Sequence, residues 1–296
     1  MILSRRSVIL IFVSVLLSNT FSIALYTFFP TYLLDLGTRK EIIQLIVSIL
    51  PLSSFLFPLF LGKFSDNLQN RFKFIITGAL GASITFLLFP FFKNLIVITF
   101  LLFSFGFFSA CSSITFVLFA ELVENDTKLI SYYNADIVLA WAIGSQSCGI
   151  FIDIYGIQYI FVYLCTLSIM NFVIVIFIKE NRDLIIESHN KEENNLLLED
   201  LVKGSNNLSP ISNSVYYSLF FRNFGVRPIF AVLAIIMGFY ITSSFTIGFL
   251  TGINFFLQFF LIIIIGRIVT KKKYKNDSNN WVFSEYFGNF RLYPFY

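Results

Sequence analysis

Charged and metal-binding residues are scarce in this sequence of 296 residues. Only 13% of the residues are charged, whereas about a quarter is usual for a soluble domain. The sequence has a single histidine, His189, and no His/Cys/Asp cluster at ligand spacing, so neither a metal site nor a cofactor is expected. Cys111, Cys148 and Cys165 all lie in apolar runs, where cysteine serves as a small packing residue rather than in a disulfide framework.

Signatures of enzymes and of nucleotide-driven pumps are also missing. The sequence has no G-x-x-x-x-G-K-[ST] loop, which excludes a built-in ATPase. It has no paired carboxylates and no histidine motif, so we do not expect an enzyme. The net charge of +4 could suit nucleic acid, but the positions of the cations indicate another use, and no nucleic-acid partner is expected.

Long apolar runs dominate the sequence instead. Hydrophobic residues make up 57% of the chain and aromatic residues 19%, which indicates lipid as the solvent. A helix that spans the bilayer needs about 20 mostly apolar residues, whereas a barrel strand shows about 10 alternating ones. Eight runs have the length of a spanning helix: 8–32, 41–61, 74–92, 95–119, 131–152, 157–178, 226–245 and 248–266. We therefore predict an all-α, polytopic integral membrane bundle of about eight helices, with the lipid bilayer as a partner.

The first apolar run follows the segment SRRSVIL, which is similar to a twin-arginine export signal. A cleavable signal has an apolar core of about 7–15 residues and a small-residue cleavage site. The run here continues past Phe28 without an A-x-A site. We therefore expect an uncleaved first helix rather than a signal peptide.

The positions of Lys and Arg predict the orientation of the chain. If the N-terminus is cytoplasmic, only Arg39, Lys40 and Lys93 of the 21 Lys and Arg residues lie outside. An excess of cations in cytoplasmic loops is the rule for membrane proteins. We therefore expect a multi-pass protein of the cell membrane with a cytoplasmic N-terminus.

A long polar segment divides the chain. Residues 179–215 mix acidic and basic side chains and contain no long apolar run, which is typical of a solvated linker. We predict four parts: an N-terminal six-helix half (1–178), a cytoplasmic linker (179–215), an incomplete C-terminal half with two helices (216–275) and a non-spanning tail (276–296).

Two glycine-led basic segments follow corresponding apolar runs. GKFSDNLQNRFK begins at Gly62 after the second run, and GRIVTKKKYK begins at Gly266 after the eighth. Such internal repeats are typical of secondary transporters, whose halves surround a midplane site. The first segment resembles the motif between the second and third helices of the major facilitator superfamily, and the matching residues are Gly62, Asp66, Arg71 and Lys73. AELVENDTKLISYYN and GSQSCGIFIDIYG also resemble the first half of that family.

This resemblance implies a function. Members of the family are secondary transporters that move a small solute by alternating access, in some cases with a coupling proton or ion. The family plan has twelve helices, so a chain with eight runs resembles a transporter truncated in its second half. The alternative is a transport-inactive fragment, or a non-catalytic membrane protein that needs a partner.

The motif at Gly62 has two interpretations. In the family, its aspartate pairs across the cytoplasmic face and latches the outward-open state, and the resemblance implies that role for Asp66, Arg71 and Lys73. From the residues themselves, we expect Gly62 in a tight turn and Asp66 near the start of the third helix, where the helix dipole favours an anion. The alternative is a turn that only anchors the loop in the cytoplasm.

Polar side chains inside apolar runs are candidates for a solute cavity, because such groups are costly in lipid. The candidates are Asn19, Tyr26, Asp136, Trp141, Gln146 and Gln258. Asn and Gln could instead join helices through hydrogen bonds. Asp136, an acid well inside a run, could pair with a cytoplasmic cation or carry a proton. Nothing in the sequence selects the solute.

Overall fold

The protein is an all-helical chain in a computed structural model that describes residues 5–68, 71–123, 126–178, 233, 236–238, 240–241 and 243–273. Eight α-helices lie within these residues: α1 (Arg5–Asp35), α2 (Lys40–Val47), α3 (Ile49–Leu68), α4 (Arg71–Leu88), α5 (Leu95–Leu122), α6 (Thr127–Tyr155), α7 (Ile160–Ile176) and α8 (Ser244–Lys273). Two short 3-10 helices follow α4 and precede α7: Phe89–Phe91 and Ile157–Tyr159.

Seven segments of the described residues are long and apolar enough to cross a membrane: Ser7–Asp35, Lys40–Pro58, Arg71–Phe91, Leu95–Ala120, Lys128–Tyr155, Ile157–Ile176 and Ser244–Arg267. No strand occurs among the described residues. The predicted all-α, polytopic membrane bundle is therefore confirmed. The predicted run 226–245 lies mainly outside the described residues, as do the linker 179–215 and the tail 276–296, so these stay predictions.

The second predicted run, 41–61, is not one continuous helix. Helix α2 ends at Val47 and α3 begins at Ile49. Pro51 has no backbone N–H, so the carbonyl of Val47, four residues earlier, cannot receive the usual helical hydrogen bond. The ring of Pro51 also crowds that carbonyl, which explains a break next to Ser48. A prediction from run length alone misses this break.

An aromatic cluster fills the interior at the end of the bundle where α1 and α4 end and α7 begins. The ring of Phe89 stacks on that of Phe161, with centroids 4.4 Å apart and an interplanar angle of 2°. Phe29 meets Phe89 edge-on, with centroids 6.0 Å apart. Each such pair contributes about 0.5–1.5 kcal/mol beyond the burial of its area. These three residues are buried and form what we call the aromatic cluster.

A second apolar cluster lies towards the other end of the same helices. It includes Ile11 of α1, Ile75 of α4 and Phe119 of α5. The three cysteines are buried free thiols in the interior of the bundle: Cys111, Cys148 and Cys165. Residues of the first six predicted spans form almost all of this interior, to which α8 adds Ile247.

Small residues bring α8 close to α6, and the two helices run antiparallel. A Cβ atom on Gly248 would lie only 2.2 Å from the carbonyl oxygen of Ser145, and one on Gly149 only 2.5 Å from that of Ser244. Glycine at such contacts lets membrane helices approach each other closely. Because α8 follows the predicted linker, this contact packs the later part of the chain against the first six predicted spans.

Candidate functional site

A cavity of about 650 Å³ lies between the helices, and all eight of them contribute residues to its wall. This volume is in the range of about 300–1,000 Å³ that is typical of small-molecule sites. On α1 the wall is a polar stripe in which every fourth residue is polar: Ser14, Ser18, Ser22 and Tyr26. Residues at this spacing share one face of a helix. The sequence of α1 therefore turns a polar face towards the cavity.

The cavity occupies the middle of the bundle and extends towards the end at which α4 and α6 begin. Its lining on α6 runs from Tyr133 to Trp141, in the first half of that helix. Its lining on α5 runs from Ser109 to Thr115, in the second half. The aromatic cluster fills the interior near the opposite end of α1, α4 and α7. Between α1, α4 and α7, the aromatic cluster therefore closes the cavity at that end.

Four of the predicted cavity residues line this space: Asn19, Tyr26, Trp141 and Gln258. The indole Nε1 of Trp141 donates a hydrogen bond to Asn19 Oδ1 at 3.2 Å, which joins α6 to α1. Asn19 Nδ2 donates to the carbonyl of Val15 at 2.9 Å. Gln258 Nε2 donates to Asn254 Oδ1 at 3.4 Å. The role of these side chains in holding a solute stays a prediction.

The other two predicted residues, Asp136 and Gln146, are not part of the cavity wall. Gln146 lies about 140° around α6 from Trp141, given 3.6 residues per turn. It packs at the contact with α8, where its Nε2 would lie 3.0 Å from a Cβ on Gly252. Asp136 has one buried oxygen, Oδ2, that has no hydrogen-bond partner among the described residues.

Reasoning from amides and acids misses most of the hydroxyl groups of the wall. Ser54 on α3, Ser112 on α5 and Thr251 on α8 all line the cavity. Ser14 Oγ donates a hydrogen bond to Asn171 Oδ1 at 2.7 Å, which joins α1 to α7 at the wall. The signal that could reveal this wall is the recurrence of serine at every fourth position of an apolar run.

Hydroxyl, amide and aromatic groups determine the chemistry of the cavity. No charged side chain occurs among the described residues that line it. The rings of Phe21 and Phe255 contribute flat apolar surface beside the polar groups. Such a wall can form hydrogen bonds and ring contacts with a solute but provides no counter-charge.

One carboxylate joins the end of α6 to the beginning of α8. Asp153 Oδ2 accepts hydrogen bonds from the hydroxyl of Ser243 at 2.7 Å and from the backbone N–H of Phe245 at 3.0 Å. Its Oδ1 accepts from the backbone N–H of Ser244 at 2.7 Å. Helix N-termini have unsatisfied N–H groups and a partial positive charge. Asp153 therefore caps α8 from a different helix, an arrangement that no local sequence pattern reveals.

The structure corrects the expectations for Gly62 and Asp66. Helix α3 continues to Leu68, so Gly62 lies within the helix, and Asp66 lies in its last turn rather than near the start of the next helix. A single glycine costs a helix only about 1 kcal/mol, and no proline follows it here. The dipole argument for Asp66 is therefore wrong, because a helix C-terminus disfavours an anion. Arg71 begins α4, and Lys73 lies in its first turn.

The same correction applies to the second glycine-led segment. Helix α8 continues past Gly266 to Lys273, so no loop begins at that glycine. A Cβ atom on Gly266 would lie 2.6 Å from the Cβ of Ser131 on α6. Gly266 therefore serves the close packing of α8 on α6.

Comparison with known protein families identifies a family for this chain. The model of the Major Facilitator Superfamily matches residues 10–281, which is more than half of the chain. The matched range includes the cavity wall and the contact between α6 and α8. A search of curated proteins finds no match.

Proposed function

This chain belongs to the major facilitator superfamily, whose members are membrane transporters rather than enzymes, and on that premise we propose a function for it. It is a secondary transporter that carries a small solute across the membrane by alternating access and catalyses no reaction. The helices of the bundle are long and apolar enough to cross the membrane, and the cavity between them provides a place for the solute.

The position of the cavity is the observation that carries this proposal. Its wall combines helices that precede the predicted linker with one that follows it: Asn19 on α1 and Trp141 on α6 face the same space as Gln258 on α8. In secondary transporters, two parts of the bundle rock about a site near the midplane. A movement of α8 against α1 and α6 would therefore change the access to a solute held between them.

We further propose a cytoplasmic N-terminus in the cell membrane. In this arrangement residues 1–178 and 216–275 belong to the two halves, and residues 179–215 form the cytoplasmic linker. The distribution of Lys and Arg supports it, because cations concentrate in cytoplasmic segments. Arg71, the first residue of α4, and Lys128, the second residue of α6, then lie on the inside, and the cavity extends towards the cytoplasm.

We also propose that the motif at the end of α3 acts as a latch at the cytoplasmic end. Asp66 lies in the last turn of α3, and Arg71 and Lys73 lie in the first turn of α4, so their backbones are at the same end of adjacent helices. An anion at a helix C-terminus is unfavourable by about 0.3–1 kcal/mol, which a cation can offset. Gly62, without a side chain, leaves room for a neighbouring helix there.

Solute flux in sealed vesicles tests the function. Vesicles with the purified protein are compared with protein-free vesicles for a panel of sugars, amino acids, organic anions and cationic drugs, with and without a proton gradient. We expect saturable flux of at least one solute in the absence of ATP. Flux equal to that of protein-free vesicles for every solute would contradict the proposal.

The latch has its own test in the same vesicles. Asp66→Asn should slow the flux several-fold, because the closed cytoplasmic end loses a charged contact. Asp126→Asn is the matched control: it makes the same charge change next to α6, where an asparagine can still accept the hydrogen bond from the Lys128 N–H. If both variants transport like the unmodified protein, Asp66 only anchors its loop.

A further inference from the structure

The absence of charge from the described cavity wall limits which solute can bind there. The wall contains no Asp, Glu, Lys, Arg or His among the described residues. An ion that enters a membrane cavity loses its hydration, and this is costly unless an opposite charge meets it. The wall therefore disfavours ionised solutes.

The hydroxyl groups of the wall are mainly hydrogen-bond acceptors for a solute. Ser18 donates its proton to the carbonyl of Val15 at 3.0 Å, and Ser22 donates to the carbonyl of Ser18 at 2.7 Å. Ser54 and Thr251 also donate to carbonyls of their own helices. A hydroxyl that donates in this way keeps lone pairs that can accept. The wall thus complements a solute with several O–H groups.

Amide and aromatic groups complete this complementarity. Because Asn254 Oδ1 accepts from Gln258, the Nδ2 group of Asn254 remains a donor for a solute oxygen. The rings of Trp141 and Phe255 lie with centroids 5.3 Å apart at the wall. Such apolar surfaces suit the C–H face of a pyranose or polyol.

We propose that the solute is an uncharged, polyhydroxylated molecule of sugar or polyol type, bound between Asn19, Trp141 and Gln258. This inference rests on the proposed function and makes it more specific. The cavity of about 650 Å³ corresponds to on the order of 20 water molecules at about 30 Å³ each, which leaves room for a mono- or disaccharide.

An equilibrium titration tests the solute class without transport. The chain has 2 tryptophans, so Trp281→Phe leaves Trp141 at the cavity wall as the only indole reporter. The titrants are glucose, sucrose and mannitol, together with the charged analogues glucosamine and glucuronate. We expect at least one neutral titrant to change the Trp141 fluorescence saturably and to bind at least tenfold more tightly than the charged analogues. Equal or tighter binding of a charged analogue, or no binding of any neutral titrant, would overturn the proposal.

The vesicle panel separates failure of this inference from failure of the proposed function. Flux of an ionic solute without flux of any neutral polyol would refute the solute class and leave transport intact. Absence of all flux would refute transport, while the titration would still decide which class of molecule binds.

A charge introduced into the wall provides a second test. Asn19→Asp should improve the binding of glucosamine relative to glucose at least tenfold, because it supplies the missing counter-charge. Asn94→Asp is the matched control: Asn94 is exposed outside the cavity, where its side chain accepts from the N–H of Ile96 at 2.9 Å. If Asn19→Asp does not fold, Gln258→Glu makes the equivalent change on α8. If the folded variant binds glucosamine no better relative to glucose than the unmodified protein does, the proposal is overturned.

Discussion

Asn19 and Trp141 show that one side chain can both join helices and line a cavity. The sequence leaves two roles open for a buried amide, a contact between helices or a contact with a solute. In the structure, Asn19 accepts a hydrogen bond from Trp141 across α1 and α6, and both side chains line the cavity. The bond fixes the orientation of the amide at the cavity wall.

Asp136 provides a prediction about proton coupling. Its Oδ2 is buried and has no partner among the described residues, and a carboxyl group in a membrane helix can take up and release a proton. We predict that Asp136→Asn reduces proton-driven accumulation to the level seen without a gradient, whereas Asp136→Glu retains the response. The measurement is solute accumulation in vesicles at two external pH values. A full response in the Asn variant would assign Asp136 a structural role only.

At the scale of helices, Asp153 is the link between α6 and α8 that the sequence does not reveal. We predict that Asp153→Ala destabilises the protein by about 0.5–2 kcal/mol, the usual cost of losing an N-cap. Asp153→Asn should destabilise the protein less, because the amide oxygen of asparagine can still accept a hydrogen bond from the N-terminus of α8. Thermal unfolding in detergent measures both. Asp35→Ala removes an exposed acid at the end of α1 and serves as the control. Equal losses of stability in Asp153→Ala and Asp35→Ala would contradict the role of Asp153 as a cap of α8.

The close contact of α6 and α8 leads to another prediction. A side chain on Gly248 would collide with the backbone of Ser145, which cannot move without displacing α6. We predict that Gly248→Leu lowers the free energy of unfolding by about 1–3 kcal/mol, as overpacking usually does. Leu250→Phe, which enlarges an exposed residue of the same helix, should have little effect. An unfolding midpoint for Gly248→Leu equal to that of Leu250→Phe would contradict this packing.

Helices could be predicted from the sequence more reliably than their ends and breaks. Long apolar runs establish that a segment spans the membrane, because no other backbone arrangement of that length satisfies its polar groups in lipid. The break beside Ser48 depends on one proline in an otherwise apolar run. Gly62 and Gly266 suggest turns, yet α3 and α8 continue through both glycines, because a single glycine costs a helix only about 1 kcal/mol.

The residues of the candidate site could be predicted only in part. Polar residues in apolar runs indicate where buried polar groups occur, and four of the six candidates line the cavity. Which face of a helix points inwards depends on its neighbours, so Gln146 faces α8 instead. Asp153 and Ser244, the first residue of α8, are 91 residues apart in sequence, and only the packed helices bring them together.

For the whole molecule, the proposed orientation makes a direct prediction. Lys93, between α4 and α5, should face the outside, and Lys128, at the start of α6, should face the cytoplasm. In a variant whose three cysteines are replaced by alanine, Lys93→Cys and Lys128→Cys are matched substitutions at exposed residues. We expect a membrane-impermeant maleimide to label intact cells only at position 93. Labelling at position 128 alone would show that the chain has the opposite orientation and would contradict the proposal.

The central claim is that a solute crosses the membrane through the cavity between α1, α6 and α8. Cysteine labelling during flux tests it most directly, with two neighbouring residues of α8 in the cysteine-free variant. Gln258 lines the cavity, whereas Leu257 is 60% exposed on the outer surface of the helix. We predict that a thiol reagent stops flux in Gln258→Cys, that saturating solute protects it, and that Leu257→Cys keeps its flux. Equal inhibition of both variants, or full flux in labelled Gln258→Cys, would contradict the account.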